Sequence, residues 1–196
     1  MMDKTYRVND IFYSLQGEGH NTGRAAVFVR FSGCNLRCPF CDTDFSEFDN
    51  MTAEEIVSRM TNLIPKSEEK PMVVLTGGEP TLQADCALID AIHNAGFQMV
   101  AMESNGTGEP PANLDWLTVS PKERVSVSRC NELKVLFDGK NEPSDHGVNA
   151  DFHYLQPLDS GDEKENASIL RSCVDYIAKH PQWRLSLQTH KLIGIK

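Results

Sequence analysis

The chain has 196 residues, a length typical of one domain with a substantial core and short for two. Hydrophobic residues make up 40% of it and charged residues 24%, as in ordinary globular domains. The formal net charge is −9 and the isoelectric point is near 5.1, which disfavours a general surface for nucleic acid or anionic membrane. A local basic pocket for an acidic small molecule remains compatible with this charge.

The chain's first ten residues are polar and charged, so we expect no secretory leader, and no apolar run is long enough to span a bilayer. Six cysteines without a leader are expected to be metal ligands and buried thiols, not disulfides. These features predict a reducing, cytoplasmic location.

Hydrophobic periodicity predicts strands and helices in alternation along the chain. A capping box, Thr52-x-x-Glu55, predicts a helix that ends before Pro65. A second helix is expected to begin at about Leu82 and to end just before Gly96. A third helix is predicted over Ala167–Lys179. Strands are predicted over Val8–Leu15, Ala25–Phe31, Pro71–Leu75, Phe97–Met102, Leu117–Val119, Glu132–Phe137, Phe152–Leu155 and Trp183–Leu187.

This alternation predicts an α/β fold with a mostly parallel sheet and crossover helices. Several predicted strands end in polar motifs, many containing glycine, and ligands of such folds gather at the carboxyl ends of the strands. The helices are too few for eight βα units. We therefore expect a single domain over residues 1–196, an open partial (β/α) barrel in which loops replace some helices.

Three cysteines, Cys34, Cys38 and Cys41, follow the second predicted strand at CxxxCxxC spacing. Thiolates this close can converge on one soft metal centre, but a closed zinc or 4Fe–4S site takes four protein ligands. A 4Fe–4S cluster held by three thiolates would keep one iron open to a small molecule. The alternative is a zinc knuckle that takes its fourth ligand from a histidine or from Cys86, Cys130 or Cys173.

The spacing, with the aromatic Phe40 before the third cysteine, resembles the radical S-adenosylmethionine (SAM) enzymes. In that superfamily the open iron chelates the amino and carboxylate groups of SAM, and reductive cleavage gives a 5′-deoxyadenosyl radical. The sequence Thr76-Gly77-Gly78-Glu79-Pro80 resembles the superfamily's second motif, which holds the methionyl end of SAM. An ordinary turn between a strand and a helix is the alternative explanation for that stretch.

An ordered set of motifs resembles one family within it, the 7-carboxy-7-deazaguanine synthases of queuosine biosynthesis. The motifs are Leu15-Gln16-Gly17-Glu18-Gly19, Val27-Phe28-Val29-Arg30, Cys41-Asp42-Thr43, Thr76-Gly77-Gly78-Glu79-Pro80, Glu103-Ser104-Asn105-Gly106, Ser120-Pro121-Lys122, Leu155-Gln156-Pro157-Leu158-Asp159 and Gln188-Thr189-His190-Lys191. The resemblance implies a radical SAM partial barrel, a 4Fe–4S cluster, SAM and Mg²⁺. It implies conversion of 6-carboxy-5,6,7,8-tetrahydropterin to 7-carboxy-7-deazaguanine and ammonia by ring contraction, with SAM regenerated.

The resemblance also implies site residues, which fall into four groups. Cys34, Cys38 and Cys41 would hold the cluster, and Thr43 would bind Mg²⁺ together with the substrate carboxylate. The SAM contacts would be Phe40, Cys41, Asp42, Gly78, Glu79, Glu103, Ser104, Ser120, Pro121, Lys122, Gln156, Pro157, Leu158 and Asp159. The substrate contacts would be Leu15, Gln16, Gly17, Glu18, Arg30, Thr76, His190 and Lys196.

Each polar candidate has a simpler alternative. Arg30, whose planar fork suits a carboxylate, could instead form a salt bridge with one of the many acids. Gln16, Glu18, Thr43 and Thr76 could serve local turns or caps. His190 could be an ordinary structural histidine. Lys196 stands where relatives often end in proline, so a backbone carboxylate is a better substrate contact there than the side chain.

Two further functions remain alternatives to the synthase. A glycyl-radical activase shares the cysteine spacing and the small size but needs a docking surface for a large protein. A zinc-binding adaptor without enzymatic activity is the other. The synthase resemblance implies a flavodoxin or ferredoxin as reductant and a homodimer, with no nucleic acid or membrane partner. Cys86, Cys130 and Cys173 are predicted to be buried inert thiols, and Tyr13, Trp116 and Trp183 to serve packing.

Overall fold

The computed structural model describes residues 4–39, 41, 44, 46–67 and 69–196. Its strands are β1 (Tyr6–Leu15), β2 (Ala25–Phe31), β3 (Asp49–Met51), β4 (Met72–Gly77), β5 (Val100–Ser104), β6 (Trp116–Val119), β7 (Arg129–Phe137), β8 (Asn149–Pro157) and β9 (Trp183–Leu185). Its α-helices are α1 (Ala53–Leu63), α2 (Cys86–Asn94), α3 (Glu163–Lys179) and α4 (Thr189–Ile193). Short 3₁₀ turns occupy Gly19–Asn21 and Pro80–Leu82.

Within the described residues the nine strands form one open sheet in the order β3-β1-β2-β4-β5-β6-β7-β8-β9. The strand β1 pairs antiparallel with both β2 and β3, and every pairing from β2 to β9 is parallel. The predicted α/β class and the mostly parallel, open partial barrel are therefore confirmed. The edge strand β3 was not predicted, because three residues are too few to show a period.

The two faces of the sheet have different environments because successive side chains of a strand point to opposite sides. In β2, Val27, Val29 and Phe31 belong to the main core, which also contains buried side chains of α1, α2 and α3. Ala26 and Phe28 belong to a smaller apolar cluster on the other face. Arg30, near the carboxyl end of β2, lies on that second face, opposite the core packed by α1, α2 and α3.

The crossovers explain why the second half of the sheet has few helices. The helix α1 lies between β3 and β4, α2 between β4 and β5, and α3 between β8 and β9. The connections β5–β6, β6–β7 and β7–β8 are loops throughout, and all their residues are described. This confirms the expectation that loops replace some helices.

The helix starts follow the capping residues closely. The Thr52 side chain accepts from the Glu55 N–H and the Glu55 carboxylate accepts from the Thr52 N–H, which confirms the predicted capping box. The second helix was predicted to begin near Leu82, which is wrong. A 3₁₀ turn occupies Pro80–Leu82, and α2 begins only after Asp85, whose carboxylate caps the Leu88 N–H.

The late start of α2 also corrects the burial predicted for one cysteine. Cys86 is the first residue of the helix and is exposed, so it is not a buried thiol. Cys130 and Cys173 are buried as predicted. Burial raises the pKa of Cys130 to about 12 and the pKa of Cys173 to about 11, so both stay protonated and unreactive near neutral pH.

Other predicted boundaries move by a few residues. The fifth strand begins at Val100 instead of Phe97, α3 begins at Glu163 instead of Ala167, and the last strand ends at Leu185 instead of Leu187. The helix α4 was not predicted. Tyr13, which was predicted to serve packing, is exposed instead.

Trp183 is buried, and Trp116 packs against the smaller apolar cluster, as expected. No helix found in the described part of the chain is both long and apolar enough to cross a membrane.

Candidate active site

The carboxyl ends of the parallel strands surround a cavity of about 560 Å³ on the sheet face opposite the main core. Neighbouring strands bring their polar residues to one level, as in the direct pairing of Arg30 on β2 with Thr76 on β4. The predicted site residues that line the cavity are Gln16, Gly17, Glu18, Arg30, Cys34, Cys38, Cys41, Thr76, Gly78, Glu103, Ser104, Ser120, Lys122, Gln156, Pro157, Leu158, Asp159, His190 and Lys196.

The cysteine loop begins against the Gly77-Gly78 turn, and the two backbones are in direct contact. The Gly78 N–H donates to the Phe31 carbonyl at 2.9 Å, and the Glu79 N–H donates to the Gly33 carbonyl at 2.8 Å. A Cβ added at Gly78 would lie 1.9 Å from the Gly33 carbonyl oxygen. The turn therefore needs glycine because it packs on the backbone that leads into Cys34.

Hydrogen bonds of two asparagine side chains connect the cysteine loop to the residues that follow β5. The Asn105 side chain donates to the Asn35 side-chain oxygen at 3.0 Å, and Asn35 donates to the Thr107 hydroxyl at 2.7 Å. The Asn105 amide nitrogen also lies 4.0 Å from the Cys34 sulfur. These contacts fix the first cysteine relative to the sheet.

The three thiols line the same cavity and influence one another electrostatically. Burial raises the pKa of the Cys38 thiol. The nearby Lys122 ammonium lowers that pKa, whereas the Cys34 and Cys41 thiols raise it further. Across the described residues no three histidine, cysteine or acidic side chains converge into a formed metal-binding group. Three soft sulfur donors on one wall, next to the glycine turn, fit a cluster whose binding deprotonates them and draws them together.

Glu79, a predicted SAM contact, is held by hydrogen bonds from neighbouring loops. Its carboxylate is fully buried and lies outside the cavity wall. It accepts from the Thr81 hydroxyl at 2.6 Å, from Ser104 Oγ at 2.8 Å and from the Asn105 N–H at 2.8 Å. These bonds tie the glycine turn to the end of β5, so in this conformation Glu79 positions the loops around the SAM motif.

Gln16, Glu103 and Thr76 form a hydrogen-bonded group in the cavity. Gln16 donates to one Glu103 oxygen and the Thr76 hydroxyl donates to the other, each at 3.0 Å. The Gln16 side-chain oxygen accepts from the Glu18 N–H at 3.1 Å. Glu103, a predicted SAM contact, is therefore hydrogen-bonded to Gln16 and Thr76, two predicted substrate contacts.

Glu18 is held by two residues that the motif analysis did not assign to the substrate. Its carboxylate accepts from the Lys134 ammonium of β7, and its other oxygen accepts from the Gln188 amide at 2.8 Å. Burial alone raises the pKa of Glu18, but Lys134 and Gln188 outweigh it and lower the pKa. Glu18 is therefore an ionised acceptor in the cavity wall at neutral pH.

Arg30 and Lys196 lie beside a pair of stacked aromatic rings. The rings of Phe12 and Phe28 stack at 4.8 Å, the Arg30 guanidinium lies 5.8 Å from the Phe12 centroid and the Lys196 ammonium lies 4.6 Å from it. Lys196 also pairs with Asp10, and its carbonyl accepts from the Ser14 hydroxyl at 2.6 Å. Both cations thus face one rim of the cavity.

His190 lies on α4, which docks on the turn after β1. The Thr189 N–H and hydroxyl both donate to the Gly17 carbonyl at 2.9 Å. The His190 ring packs so closely on Gly17 that an added Cβ would lie 2.2 Å from its Nδ1. This contact brings the predicted substrate residues of the first and last motifs together.

A further part of the cavity wall carries the remaining predicted SAM residues that line it. The Lys122 ammonium donates to the Ser120 hydroxyl at 2.7 Å, and burial, assisted by the nearby Lys134, lowers the pKa of Lys122 to about 8. The Gln156 side-chain oxygen accepts from the Ser186 hydroxyl at 3.0 Å. Asp159 accepts from Lys191 at 2.8 Å, which links the end of β8 to α4.

Some predicted residues are not part of this wall. Leu15, Glu79 and Pro121 do not line the cavity in the described structure. Phe40, Asp42 and Thr43 lie outside the described residues, so their predicted SAM and Mg²⁺ contacts stay predictions.

Comparisons with known proteins agree with this arrangement. Residues 28–128 match the model of the Radical SAM superfamily. A 7-carboxy-7-deazaguanine synthase of Bacteroides thetaiotaomicron is 44% identical over 192 residues, with 97% of this chain and 98% of the relative covered. One of Burkholderia multivorans is 42% identical over 212 residues, with 97% and 99% covered. The chain belongs to the 7-carboxy-7-deazaguanine synthase family of radical SAM enzymes.

A solved structure extends this similarity to three dimensions. The crystal structure of QueE from Escherichia coli superposes with a TM-score of 0.72 at 26% identity and covers 93% of each chain. Membership of the synthase family favours the predicted synthase over the activase and the zinc adaptor. Radical SAM enzymes use a 4Fe–4S cluster and SAM, so the synthase has both cofactors.

Sequence analysis of this synthase missed Lys134, Gln188 and Asn105 as members of the site. The predicted strand Glu132–Phe137 is otherwise mostly apolar, yet it has charges at Glu132 and Lys134, two residues apart. Two charges on one face of a buried strand indicate a polar cavity. That pattern could have identified Lys134, whereas Gln188 and Asn105 lay within recognised motifs and had no separate signal.

Proposed function

We propose that this synthase converts 6-carboxy-5,6,7,8-tetrahydropterin into 7-carboxy-7-deazaguanine and ammonia. The observation that supports it most strongly is the single cavity that the cluster thiols, the glycine turn and the polar strand ends share. The conversion removes one molecule of ammonia with no net oxidation or reduction, so SAM can be regenerated in each cycle. When bound, the cluster and SAM would supply the radical chemistry for a reversible hydrogen-atom abstraction from the substrate.

The chain's own residues would bind and orient the two small molecules. Cys34, Cys38 and Cys41 would hold the cluster, and the Gly77-Gly78 turn would present backbone groups to the methionyl end of SAM. The other SAM contacts are proposed to be the cavity-lining members of the predicted set, with Phe40, Asp42 and the backbone of Pro121 beside them.

The substrate has an acidic end and an end rich in N–H groups, and the proposed contacts have complementary chemistry. Arg30 would bind the carboxylate through its planar fork. Gln16, Glu18 and His190 would bind the pyrimidinone edge, where carboxylate and amide oxygens accept from paired N–H groups. Thr43, a hard oxygen donor, would hold Mg²⁺ against the substrate carboxylate.

The remaining parts of the proposal concern the whole protein. We propose that residues 1–196 act as one domain, that the synthase is a homodimer located in the cytoplasm, and that a flavodoxin or ferredoxin reduces its cluster. A continuous sheet through the described residues supports the single domain. The net charge of −9 is consistent with the absence of nucleic acid from the proposed partners.

The test is an anaerobic assay with the cluster reconstituted from iron and sulfide. With dithionite, SAM and the carboxytetrahydropterin, the wild-type protein should form 7-carboxy-7-deazaguanine, identified by mass, in excess of the SAM consumed. Cys38→Ala should bind little iron and form no product. Reductive SAM cleavage by the wild type without any deazaguanine would overturn the proposed function while retaining a radical SAM enzyme.

A further inference from the structure

The cavity wall contains a buried lysine, Lys134, in the middle of β7. Its side chain is only 7% exposed and its ammonium contacts the Glu18 carboxylate, which is 16% exposed. Burying an ammonium is costly unless it is paired, and the pair lies in the wall of a ligand cavity and not in an apolar core. Its position suggests a role in the site.

Glu18 keeps acceptor capacity towards the cavity despite its two partners. Lys134 bonds to one oxygen and Gln188 to the other. A carboxylate offers about four lone-pair positions. The two bonds fix the plane of the carboxylate, and its remaining lone pairs can accept from a ligand.

The charges around Glu18 and Lys134 make the lysine necessary if Glu18 is to stay ionised. Glu103 and Glu132 both raise the pKa of Lys134, so three carboxylates share the neighbourhood of this one ammonium. Burial favours the protonated form of Glu18 in the absence of a counter-charge. The charged groups that act on the pair from the surrounding elements are Glu103, Glu132, Lys122 and His190.

We propose that Lys134 is a positioning residue that holds Glu18 as a fixed, ionised acceptor for a ligand edge with two adjacent N–H donors. This inference rests on the proposed function, in which that edge is the aminopyrimidinone side of the pterin. An ionised carboxylate accepts from both N–H groups. A protonated Glu18 would present an O–H donor to one of them and lose the match.

The first experiment compares Lys134→Met with wild type by steady-state kinetics at pH 5.5 to 8.5. Without Lys134 the pKa of Glu18 rises, so the KM for the pterin should increase as the pH falls. A charge-assisted hydrogen bond contributes about 1.5–3 kcal/mol, so the increase should reach about tenfold or more on the acid side. The wild-type KM should not show this increase at low pH. In Lys134→Met, kcat at saturating pterin should change much less than KM.

Lys70→Met is the matched control, because Lys70 is also part-buried, donates to the Ala95 carbonyl and lies outside the cavity. It should leave the KM and its pH profile unchanged. SAM cleavage by Lys70→Met without pterin should also equal that of the wild type. An unaltered pH profile in Lys134→Met would overturn the inference. A wild type that cleaves SAM but makes no deazaguanine would instead reject the proposed function.

A double variant keeps the inference testable if the lone Lys134→Met folds poorly. Glu18→Gln/Lys134→Met removes both charges and leaves no unpaired buried ion. If Lys134 acts through Glu18, the double variant should have the same KM as Glu18→Gln alone, since the carboxylate that needs the lysine is absent. A further increase in KM beyond that of Glu18→Gln would show that Lys134 contacts the substrate itself, and would overturn the positioning role.

Discussion

At the scale of single residues, the site depends on a direct contact between two backbone segments, the glycine turn and the start of the cysteine loop. Gly78 contacts Gly33 so closely that no side chain fits between the glycine turn and the cysteine loop. The turn and its place after a strand were predictable from sequence, because Gly-Gly is rare inside regular elements. The contact with Gly33 was not, since it depends on how β2 and β4 pair.

We therefore predict that Gly78→Ala lowers cluster assembly. The added methyl would lie 1.9 Å from the Gly33 carbonyl oxygen, so the backbone before Cys34 must move. Iron bound per chain after anaerobic reconstitution should fall to less than half of the wild-type value. Gly147→Ala is the control, because nothing lies within 4 Å of the carbon added there, even though Gly147 has a positive φ and Gly78 does not. Equal iron content in Gly78→Ala and wild type would contradict this explanation.

Glu79 shows what a motif leaves out. The resemblance implied a SAM contact, which stays a prediction, and the fold adds four hydrogen bonds to the carboxylate from Thr81, Ser104 and Asn105. Thr81 is a sequence neighbour, but Ser104 and Asn105 lie 25 and 26 residues away, at the end of β5. Only the parallel pairing of β4 with β5 brings them together, which local patterns do not encode.

At the scale of elements, predictions succeeded where local chemistry decides the structure. The strand β2 has the predicted limits, and α1 begins after the predicted cap. The helix α4 was missed because five residues are too few to form a stable helix alone. It forms where Thr189 bonds to the Gly17 carbonyl, a contact between the two ends of the chain.

The capping box gives a prediction for α1. Thr52→Ala removes the hydroxyl that accepts from the Glu55 N–H, and such caps contribute about 1 kcal/mol to the free energy of unfolding. Urea unfolding followed by circular dichroism should show a loss of about 0.5–2 kcal/mol. Thr61→Ala on the same helix is the control. Its hydroxyl only bonds back to the Val57 carbonyl, so its removal should cost much less. Similar losses in both variants would argue against a specific capping effect.

At the scale of the whole molecule, the sequence predicted the parallel body of the fold but not how the antiparallel strands attach to it. Asp85 joins these two parts. Its carboxylate caps α2 at the Leu88 N–H, accepts from the hydroxyl of the buried Tyr6 on β1 at 2.8 Å, and pairs with Lys4 at 2.5 Å. Lys4 and Tyr6 are about 80 residues away in sequence, so no local signal indicated this junction.

The junction predicts a pH dependence of stability. Burial raises the pKa of Asp85, but the bonds from Lys4, Leu88 and Tyr6 outweigh it and lower the pKa. Asp85 therefore stabilises the fold above its unfolded-state pKa of about 3.9, and this contribution is lost as the pH falls below that value.

Asp85→Ala should lower the free energy of unfolding by roughly 1–3 kcal/mol at pH 7, because it removes a cap and leaves the Tyr6 hydroxyl without its acceptor. The difference from wild type should shrink as the pH falls from 5 towards 3, measured by urea unfolding at each pH. Asp49→Ala, whose exposed carboxylate lies 3.8 Å from Arg59, should show little effect at either pH. A difference that stays constant down to pH 3 would mean that the Asp85 charge does not contribute. The junction would then depend on packing alone.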